Sequence, residues 1–363
     1  MSQFGRLQHI KLKGFRSIRE LDLELAPLNV LIGANGAGKS NFISFFKFMN
    51  KLLEKDLQLC TQDMGGADRV LYFGKKTTSE ISIDLHFSPN GYEASLVPTQ
   101  DNRLIFKDEF CIFYGDEYGY SGGTKRYALA KAGAEESRLP KPSANTAPGF
   151  VAGYLSDWKV YHFHDTSDTA KVKGSHSIHD CERLRPQGEN IAAFLYNIRE
   201  TSSYQKIVKT IQRVAPFFHD FVFQEEKNEL IRLRWKHKGS DEYFDATMLS
   251  DGTLRLICLT TLLMQPQLPT ILLLDEPELG LHPFAIQLLA AMMRSASAKT
   301  QIIASTQSVT LANEFSWQDI VVVDQVENAS RFRRLEETKV TQWLDDFRMG
   351  DLWEMNLLGG TPE

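Results

Sequence analysis

The sequence predicts an α/β fold with a mixed central sheet, a flanking antiparallel sheet and a helical lobe. Three observations predict it. A short apolar run at residues 29–32 leads straight into a glycine-rich loop, as a buried strand of a central sheet does. A second apolar run, residues 270–274, ends in acidic residues. Between them, two alternating segments flank a Pro-Asn-Gly turn at residues 89–91, which indicates an antiparallel hairpin.

Composition sets the class of protein. The chain has 363 residues, of which 42% are hydrophobic, enough to bury a substantial core. Its net charge of −5 does not by itself predict nucleic-acid binding, although a local basic surface stays open. Four cysteines without a CxxC pair are typical of reduced thiols in a cytoplasmic protein. No apolar run approaches the roughly 20 residues of a membrane helix, so we expect no membrane partner.

The elements follow one another in a regular order. Residues 7–12 and 21–25 alternate as half-buried strands, and residues 41–55 form a helix with one apolar side. Residues 81–87 and 92–97 form the hairpin, and the glycine- and serine-rich residues 115–149 an exposed loop. The remaining expectations are helices over residues 190–215, 254–264 and 284–296, and strands over residues 229–238, 301–304 and 320–323.

The glycine-rich loop at residues 33–40 fits the Walker A pattern, with a strand before it and a helix after it. Its glycines allow backbone N–H groups to converge on phosphate oxygens, and the helix adds the positive end of its dipole. We expect Lys39 to reach the β- and γ-phosphates and Ser40 to ligate Mg²⁺. The loop therefore predicts binding of ATP with Mg²⁺; the alternative is a glycine-rich turn that matches by chance.

The second apolar run ends in Asp275 and Glu276, a Walker B pattern. Asp275 at the strand end would hold Mg²⁺, and Glu276 would orient and polarise the attacking water. The alternative is an ordinary strand with acidic residues at its exposed end. Residues 279–283 follow, in a position that suggests a loop meeting a partner subunit.

Residues 249–253, Leu-Ser-Asp-Gly-Thr, precede a helix, and Ser250 is a plausible N-cap. Between a Walker A and a Walker B, this segment resembles the signature motif of ATP-binding-cassette (ABC) proteins. The sequence resembles an ABC-type ATPase of the RecF/SMC/OLD group, in its short, stand-alone AAA-family subgroup. The segments that carry this resemblance are residues 13–17, 33–40, 65–66, 72–74, 161–167, 275–283, 350–353 and 358–360.

The resemblance implies a P-loop NTPase fold and a head-to-tail homodimer, or a higher homo-oligomer, with two ATP molecules between subunits. Residues 1–114 and 191–363 would form the two halves of the ATPase head, and residues 115–190 a partly flexible middle insertion. The implied catalytic residues are Lys39, Glu276 and Gln307, and the implied Mg²⁺ ligands are Ser40 and Asp275. The implied nucleotide-binding residues are Gly33, Asn35, Gly36, Ala37, Gly38, Lys39, Ser40, Asn41 and Arg16, with Ser250 and Gly252 contributed by the partner subunit.

One position departs from the group. Gln307 stands where the group usually has a switch histidine. An amide can hydrogen-bond a γ-phosphate or a water molecule, but it cannot carry a proton as imidazole does. This departure predicts slow hydrolysis, with ATP acting mainly as a clamp between subunits.

Two weaker patterns have both a structural and a functional interpretation. Alternating basic residues on one predicted strand indicate either a solvated face or contact with the DNA backbone: Arg232, Arg234, Lys236 and Lys238. A group of potential metal ligands lies close together, although its spacing matches no standard site: His162, His164, Asp165, His176, His179 and Cys181.

The leading functional hypothesis is an ATP-hydrolysing switch that regulates DNA binding or an effector protein from the same operon, in phage defence or DNA repair. The alternative is an ATP-gated scaffold with negligible turnover that assembles a partner nuclease or toxin. A third is the nucleotide-binding subunit of a transporter, which the RecF-like residues 13–17 disfavour. We expect no Toprim nuclease domain, because the sequence after Ser308 lacks its acidic motif.

Overall fold

The computed structural model describes residues 5–120, 123–143 and 145–360. The strands in chain order are β1 (Leu7–Phe15), β2 (Ile18–Glu24), β3 (Leu28–Ile32), β4 (Ile81–Phe87), β5 (Asn90–Pro98), β6 (Leu104–Tyr114), β7 (Thr124–Ala130), β8 (Trp158–Tyr161), β9 (His176–Ser177), β10 (Phe218–Val222), β11 (Glu225–Glu226), β12 (Leu230–Ile231), β13 (Arg234–His237), β14 (Tyr243–Asp245), β15 (Ile271–Asp275), β16 (Gln301–Thr306), β17 (Ile320–Val326) and β18 (Ala329–Arg334).

The α-helices in chain order are α1 (Lys39–Leu53), α2 (Leu57–Asp63), α3 (Ala67–Val70), α4 (Ala147–Ser156), α5 (Ile191–Ile198), α6 (Ser202–Val214), α7 (Asp251–Met264), α8 (Pro283–Ser297), α9 (Val309–Ala312), α10 (Glu337–Val340) and α11 (Met349–Glu354). None of these helices is long and apolar enough to span a membrane, as far as the described residues extend.

The central sheet is mixed, as predicted, in the order β18-β17-β3-β16-β15-β8. Only the β17–β18 pair is antiparallel. Because β3, β16 and β15 are parallel neighbours, their carboxyl ends meet at one edge, where α/β sheets bind ligands. The glycine loop after β3 and the acidic end of β15 consequently lie near one another, with the end of β16 between them.

The central sheet separates two hydrophobic cores. On one face, Leu31 and Leu273 pack with Phe42 of α1 and with the flanking sheet. On the other face, Val30 and Leu272 pack with helices α5 to α8. Since both faces are buried, these strands are apolar throughout, which explains their continuous hydrophobic pattern in the sequence.

The flanking sheet is antiparallel, in the order β2-β1-β4-β5-β6-β7. Strands β4 and β5 form the predicted hairpin, although its turn is tighter than expected because β5 begins at Asn90. On the opposite side of the central sheet, α6 and α7 pack together as the predicted helical lobe. The arrangement confirms the fold class expected from the sequence.

The structure corrects three local predictions. The exposed loop expected over residues 115–149 contains β7, and α4 begins there at Ala147. As an edge strand with mostly exposed side chains, β7 lacks the apolar alternation that would reveal it. The helix expected over residues 190–215 is two helices, and Thr201 caps the second by accepting the N–H of Tyr204. The strand expected over residues 229–238 is divided, because β12 and β13 pair in different small sheets.

Candidate active site

The glycine loop after β3 has a backbone that side chains would disrupt. Gly36 and Gly38 have φ angles of 81° and 113°, in the left-handed region that favours glycine. A Cβ at Gly38 would collide with the hydroxyl of Ser330, and a Cβ at Gly33 with the carbonyl of Val323. The glycines thus let the loop pack closely against β17 and β18 before α1 begins at Lys39.

Lys39 is buried beneath this loop, with a relative exposure of 5%. Its Nζ donates to the carbonyl of Gly33 at 2.6 Å and to that of Ala34 at 3.0 Å. Burial lowers the pKa of Lys39, and the nearby carboxylates of Glu276 and Asp275 oppose that effect. The ammonium group is therefore held between the loop and the acidic end of β15.

The turn between β1 and β2 contacts the first turn of α1. Arg16, with a φ angle of 49°, donates to the Asn41 side-chain oxygen at 3.4 Å. Asn41 in turn donates to the hydroxyl of Ser17 at 2.7 Å. Burial lowers the pKa of Arg16. The contacts bring Arg16 and Asn41 beside Ser40, whose side chain is exposed.

The acidic end of β15 is tied to the end of β16. Asp275 accepts a hydrogen bond from the hydroxyl of Ser305, its register partner in the parallel pair. Glu276 has a strained φ angle of 44°, and its N–H donates to the Ser305 carbonyl at 3.0 Å. The side-chain amide of Gln307 donates to the carboxylate of Glu276. The end of β16 and the residues just after it thus orient both acids, and sequence reasoning missed the part played by Ser305.

Glu278 supports the same loop from inside the protein. It is 7% exposed, and its carboxylate accepts a hydrogen bond from Thr306. Burial raises the pKa of Glu278. Because one carboxylate oxygen has no partner in the described part of the chain, the ionised form is poorly compensated there.

The signature residues occupy a different part of the surface. Ser250 caps α7 by accepting the N–H of Thr253 at 3.3 Å, as expected for an N-cap. A Cβ at Gly252 would lie 2.6 Å from the carbonyl of Gly280, so glycine permits close contact with the loop after β15. Within the described residues, no hydrogen bond joins Ser250 or Gly252 to Lys39 or to the acids of β15.

Arg255 of α7 connects the signature residues to the loop after β15 and to the segment after β8. Sequence reasoning missed this residue. Its guanidinium donates to the carbonyl of Leu279 at 2.6 Å, of His164 at 2.8 Å and of Phe163 at 3.1 Å. His164 contacts the Asp275 carbonyl through Nε2 at 2.7 Å. The sequence pattern that could have located His164 is that of β8, a short, mostly apolar strand. Because β8 pairs in parallel with β15, its carboxyl end lies beside Asp275.

The histidine-rich segment does not assemble a metal site. Its imidazoles at His162 and His164 have ring centroids 6.1 Å apart, and burial lowers the pKa of His162 to about 4. His179 instead pairs with Glu229 on the surface. Across residues 5–120, 123–143 and 145–360, no three potential ligands come together.

The basic strand is largely neutralised by acidic neighbours. Arg232 and Arg234 share the carboxylate of Glu226, and Arg234 also pairs with Asp245. Lys236 lies 3.5 Å from an Asp241 oxygen. These pairs favour the interpretation of a solvated face over a DNA contact.

Comparison with known proteins agrees with the geometry. Residues 28–313 match the family model described as "AAA domain, putative AbiEii toxin, Type IV TA system". The chain is 23% identical over 334 residues to the OLD nuclease of Thermus scotoductus, covering 85% of this chain and 60% of that protein. It is 34% identical over 103 residues to the DNA replication and repair protein RecF of Acidothermus cellulolyticus, covering 27% and 25%. The chain thus spans less than two thirds of either relative.

Solved structures show the same fold at low sequence identity. An SMC head bound to the C-winged helix domain of ScpA superposes with a TM-score of 0.56 and 13% identity, covering 93% of this chain and 99% of that one. The SMC head with an extended coiled coil from Pyrococcus furiosus gives a TM-score of 0.52 at 13% identity, covering 94% and 99%. By the family match over residues 28–313, the chain belongs to this AAA-domain family, within the ABC-type ATPases of the RecF/SMC/OLD group.

Proposed function

We propose that this protein is a molecular switch that binds and hydrolyses ATP between two copies of the chain. The observation that carries the proposal is the convergence of Lys39, Asp275, Glu276 and Gln307 at one edge of the central sheet. In this arrangement the Lys39 ammonium lies near the carboxylates of Asp275 and Glu276. The Gln307 amide donates a hydrogen bond to Glu276, the proposed general base. Such groups match the requirements of phosphoryl transfer to water, which are positioning and charge stabilisation.

The phosphate groups of ATP would lie on the glycine loop. Lys39 would release the two carbonyls it binds and pair with the β- and γ-phosphates, and Arg16 and Asn41 would add contacts beside Ser40. The Ser40 hydroxyl and the Asp275 carboxylate are oxygen donors of the kind that Mg²⁺ prefers. Bound there, Mg²⁺ would neutralise charge on the phosphates.

Hydrolysis would depend on Glu276 and would be slow. Glu276 would accept a hydrogen bond from the attacking water and orient it. The amide of Gln307 already donates to the Glu276 carboxylate, so it competes with that water for the same group. The Gln307 amide also does not take up or release a proton near neutral pH as an imidazole does, which supports slow turnover.

The second half of the site would come from a partner subunit. Ser250 is exposed, and exposed apolar side chains flank it and the loop after β15: Met248 at 67%, Leu279 at 44% and Phe284 at 44%. Exposed apolar groups beside a helix N-terminus favour an interface that also contacts an anion. In a head-to-tail homodimer, Ser250 and Gly252 of one chain would face the γ-phosphate held by Lys39 of the other.

The biological output would be control of DNA binding or of an effector protein encoded in the same operon. Relatives named as a DNA replication and repair protein and as a nuclease support a role beside nucleic acids, such as DNA repair. Phage defence is the second setting that we propose. ATP binding would close the dimer, hydrolysis would open it, and the partner would respond to the difference.

Steady-state ATP turnover by wild-type protein and by Glu276→Gln, with and without DNA, tests the enzyme proposal. We expect the wild-type rate to exceed the variant rate by about 10²-fold or more, because a positioned general base contributes that much. ATP binding should persist in the variant, since Lys39 and the glycine loop are unchanged.

Equal rates in the two proteins, with ATP binding intact, would instead support the second candidate. That candidate is an ATP-gated scaffold that assembles a partner nuclease or toxin without appreciable turnover. The contact between Gln307 and Glu276 is the observation in its favour, because it occupies the proposed base.

A further inference from the structure

A cavity of about 580 Å³ lies on the flanking sheet, away from the edge of the central sheet where the candidate active site is. Strands β5, β6 and β7 contribute Asn90, Phe113 and Tyr127, and helix α4 contributes Phe150 and Tyr154. Its lining shares no residue with the Walker A loop, the acidic end of β15 or the signature loop. The proposed ATP switch therefore leaves this cavity without a role.

The walls of the cavity are aromatic and unusually open to solvent. Tyr120, Tyr127 and Phe150 are 45%, 38% and 40% exposed, and all three line the cavity. Single exposed aromatic residues are ordinary, but several that converge on one concave site mark a binding surface. The rings of Phe150 and Tyr154 lie at 28° to one another with centroids 6.4 Å apart. Planar ring faces of this kind favour a flat, aromatic ligand that can stack.

One oxygen atom of the lining has no hydrogen-bond partner among the described residues, although the amide that carries it, in Asn90, also hydrogen-bonds the Tyr154 hydroxyl. Asn90 is 3% exposed, and its Oδ1 accepts no hydrogen bond from any described residue. Buried polar atoms in folded proteins are nearly always paired, so an orphan oxygen lining a cavity points to a donor supplied by the ligand. A ligand that both stacks and donates an N–H is a heteroaromatic ring.

The charge of the lining favours an anion attached to that ring. Among the described residues that line the cavity, Lys125 is the single charged one, and no carboxylate accompanies it. It forms no ion pair within the described parts of the chain, whereas its neighbour Arg126 pairs with Glu93. An unpaired ammonium beside stacking rings is the combination that recognises a base together with its phosphate.

We propose that this cavity binds a nucleobase carrying a phosphate. The ring stacks on Tyr127 and Phe150, an N–H of the base donates to Asn90, and Lys125 pairs with the phosphate. Two sources supply this chemistry, namely a free nucleotide and an unpaired base in a single-stranded nucleic acid. The site is separate from the ATP site and does not depend on the proposed hydrolysis.

Photocrosslinking distinguishes the sources and tests the site. The full chain carrying Lys39→Ala, which removes the phosphate contact of the ATP site, is irradiated with 5-bromodeoxyuridine monophosphate or with a single-stranded oligonucleotide containing one such base. We expect crosslinked peptides to contain Tyr127, Phe150 or Tyr154. Crosslinking by both probes would identify a free nucleotide as sufficient, and crosslinking by the oligonucleotide alone would identify single-stranded nucleic acid.

The matched variants are the double substitution Tyr127→Ala/Phe150→Ala and, as a control, Phe73→Ala, which removes an aromatic side chain that is 61% exposed elsewhere. We expect the double variant to lose at least about tenfold in crosslinking yield, since stacking dominates binding of this kind, and the control to lose none. Circular dichroism checks that both variants are folded. Absence of crosslinks at these residues with either probe, or an unchanged yield in the folded double variant, would overturn the proposal.

Discussion

The candidate site has two parts: the Walker half, formed by the glycine loop with Lys39 and the acids Asp275 and Glu276, and the signature loop around Ser250. They differ in how many of their contacts come from the same chain. Around Lys39, Asp275 and Glu276, polar groups bind one another or the loop within the same chain. The Ser250 hydroxyl, in contrast, bonds only within the first turn of α7, as far as the described residues show, and Ser250 is exposed to solvent. The difference teaches that the residues of the first half are brought together within one chain, whereas the second half is presented outward. A site completed by a second chain accounts for both properties.

Lys39→Ala should give the largest effect, on ATP binding by the half of the site that one chain assembles. Charge-assisted hydrogen bonds contribute roughly 1.5–3 kcal/mol each, so loss of the phosphate contacts should weaken ATP binding by about 10²-fold or more. Titration calorimetry with ATP and Mg²⁺ measures the effect. Lys51→Ala, which alters an exposed lysine of the same helix, is the control and should bind ATP normally. Comparable affinities for the two variants would remove Lys39 from the site.

Arg255→Ala should break the link between the two halves with a smaller effect. Its guanidinium binds three carbonyls, at Phe163, His164 and Leu279, and so fixes α7 against the loop after β15. We expect ATP affinity to change by less than about twofold and turnover to fall by about tenfold, because positioning errors affect the reaction more than binding.

Arg294→Ala is the matched control for this measurement, because Arg294 also donates to a backbone carbonyl, that of Glu314. Its turnover should stay close to wild type. A parallel loss of affinity and turnover in Arg255→Ala would mean that the residue supports folding of the Walker half and does not connect it to the signature loop.

Glu278→Gln should produce the smallest effect, on stability within the Walker half. Burial raises the pKa of Glu278 above its ordinary value of 4.5. The folded protein then binds this proton more tightly than the unfolded chain does. Glu278 therefore contributes stability that is present below about pH 4.5 and is lost as the pH rises through its folded-state pKa. The glutamine variant does not titrate, so its stability relative to wild type should increase as the pH rises from about 4.5 through the folded-state pKa of Glu278.

Thermal unfolding at several pH values measures this difference, and Glu337→Gln at an exposed carboxylate serves as the control. Parallel curves for wild type and Glu278→Gln would show that burial of this carboxyl group has no energetic consequence.

The sequence predicted those parts of the site that are local in the chain. The apolar strand, the glycine loop and the following helix are consecutive, so their pattern defines the Walker A region without knowledge of the fold. The apolar strand that ends in Asp275 and Glu276 is likewise a local pattern. Ser250 was predicted to cap a helix, and it does so by accepting the N–H of Thr253.

Contacts between distant segments were not predictable in this way. Arg255 binds a carbonyl 91 residues away, and Asp275 accepts from a serine 30 residues later. These pairs depend on which strands are neighbours in the central sheet, and strand order is a tertiary property. The edge strand β7 was missed for a different reason, namely that its local sequence carries no apolar alternation. A strand that pairs on one side only and has exposed faces needs none.

Mixing two inactive variants tests most directly whether the halves of the site come from different chains. Lys39→Ala should disable the Walker half and Ser250→Arg the signature half, so each homodimer should hydrolyse no ATP. In an equal mixture, half of the dimers should be heterodimers with one intact site, and ATPase activity should return to roughly a quarter of wild type. No recovery of activity, with heterodimers demonstrated by differential tags, would contradict a site shared between subunits.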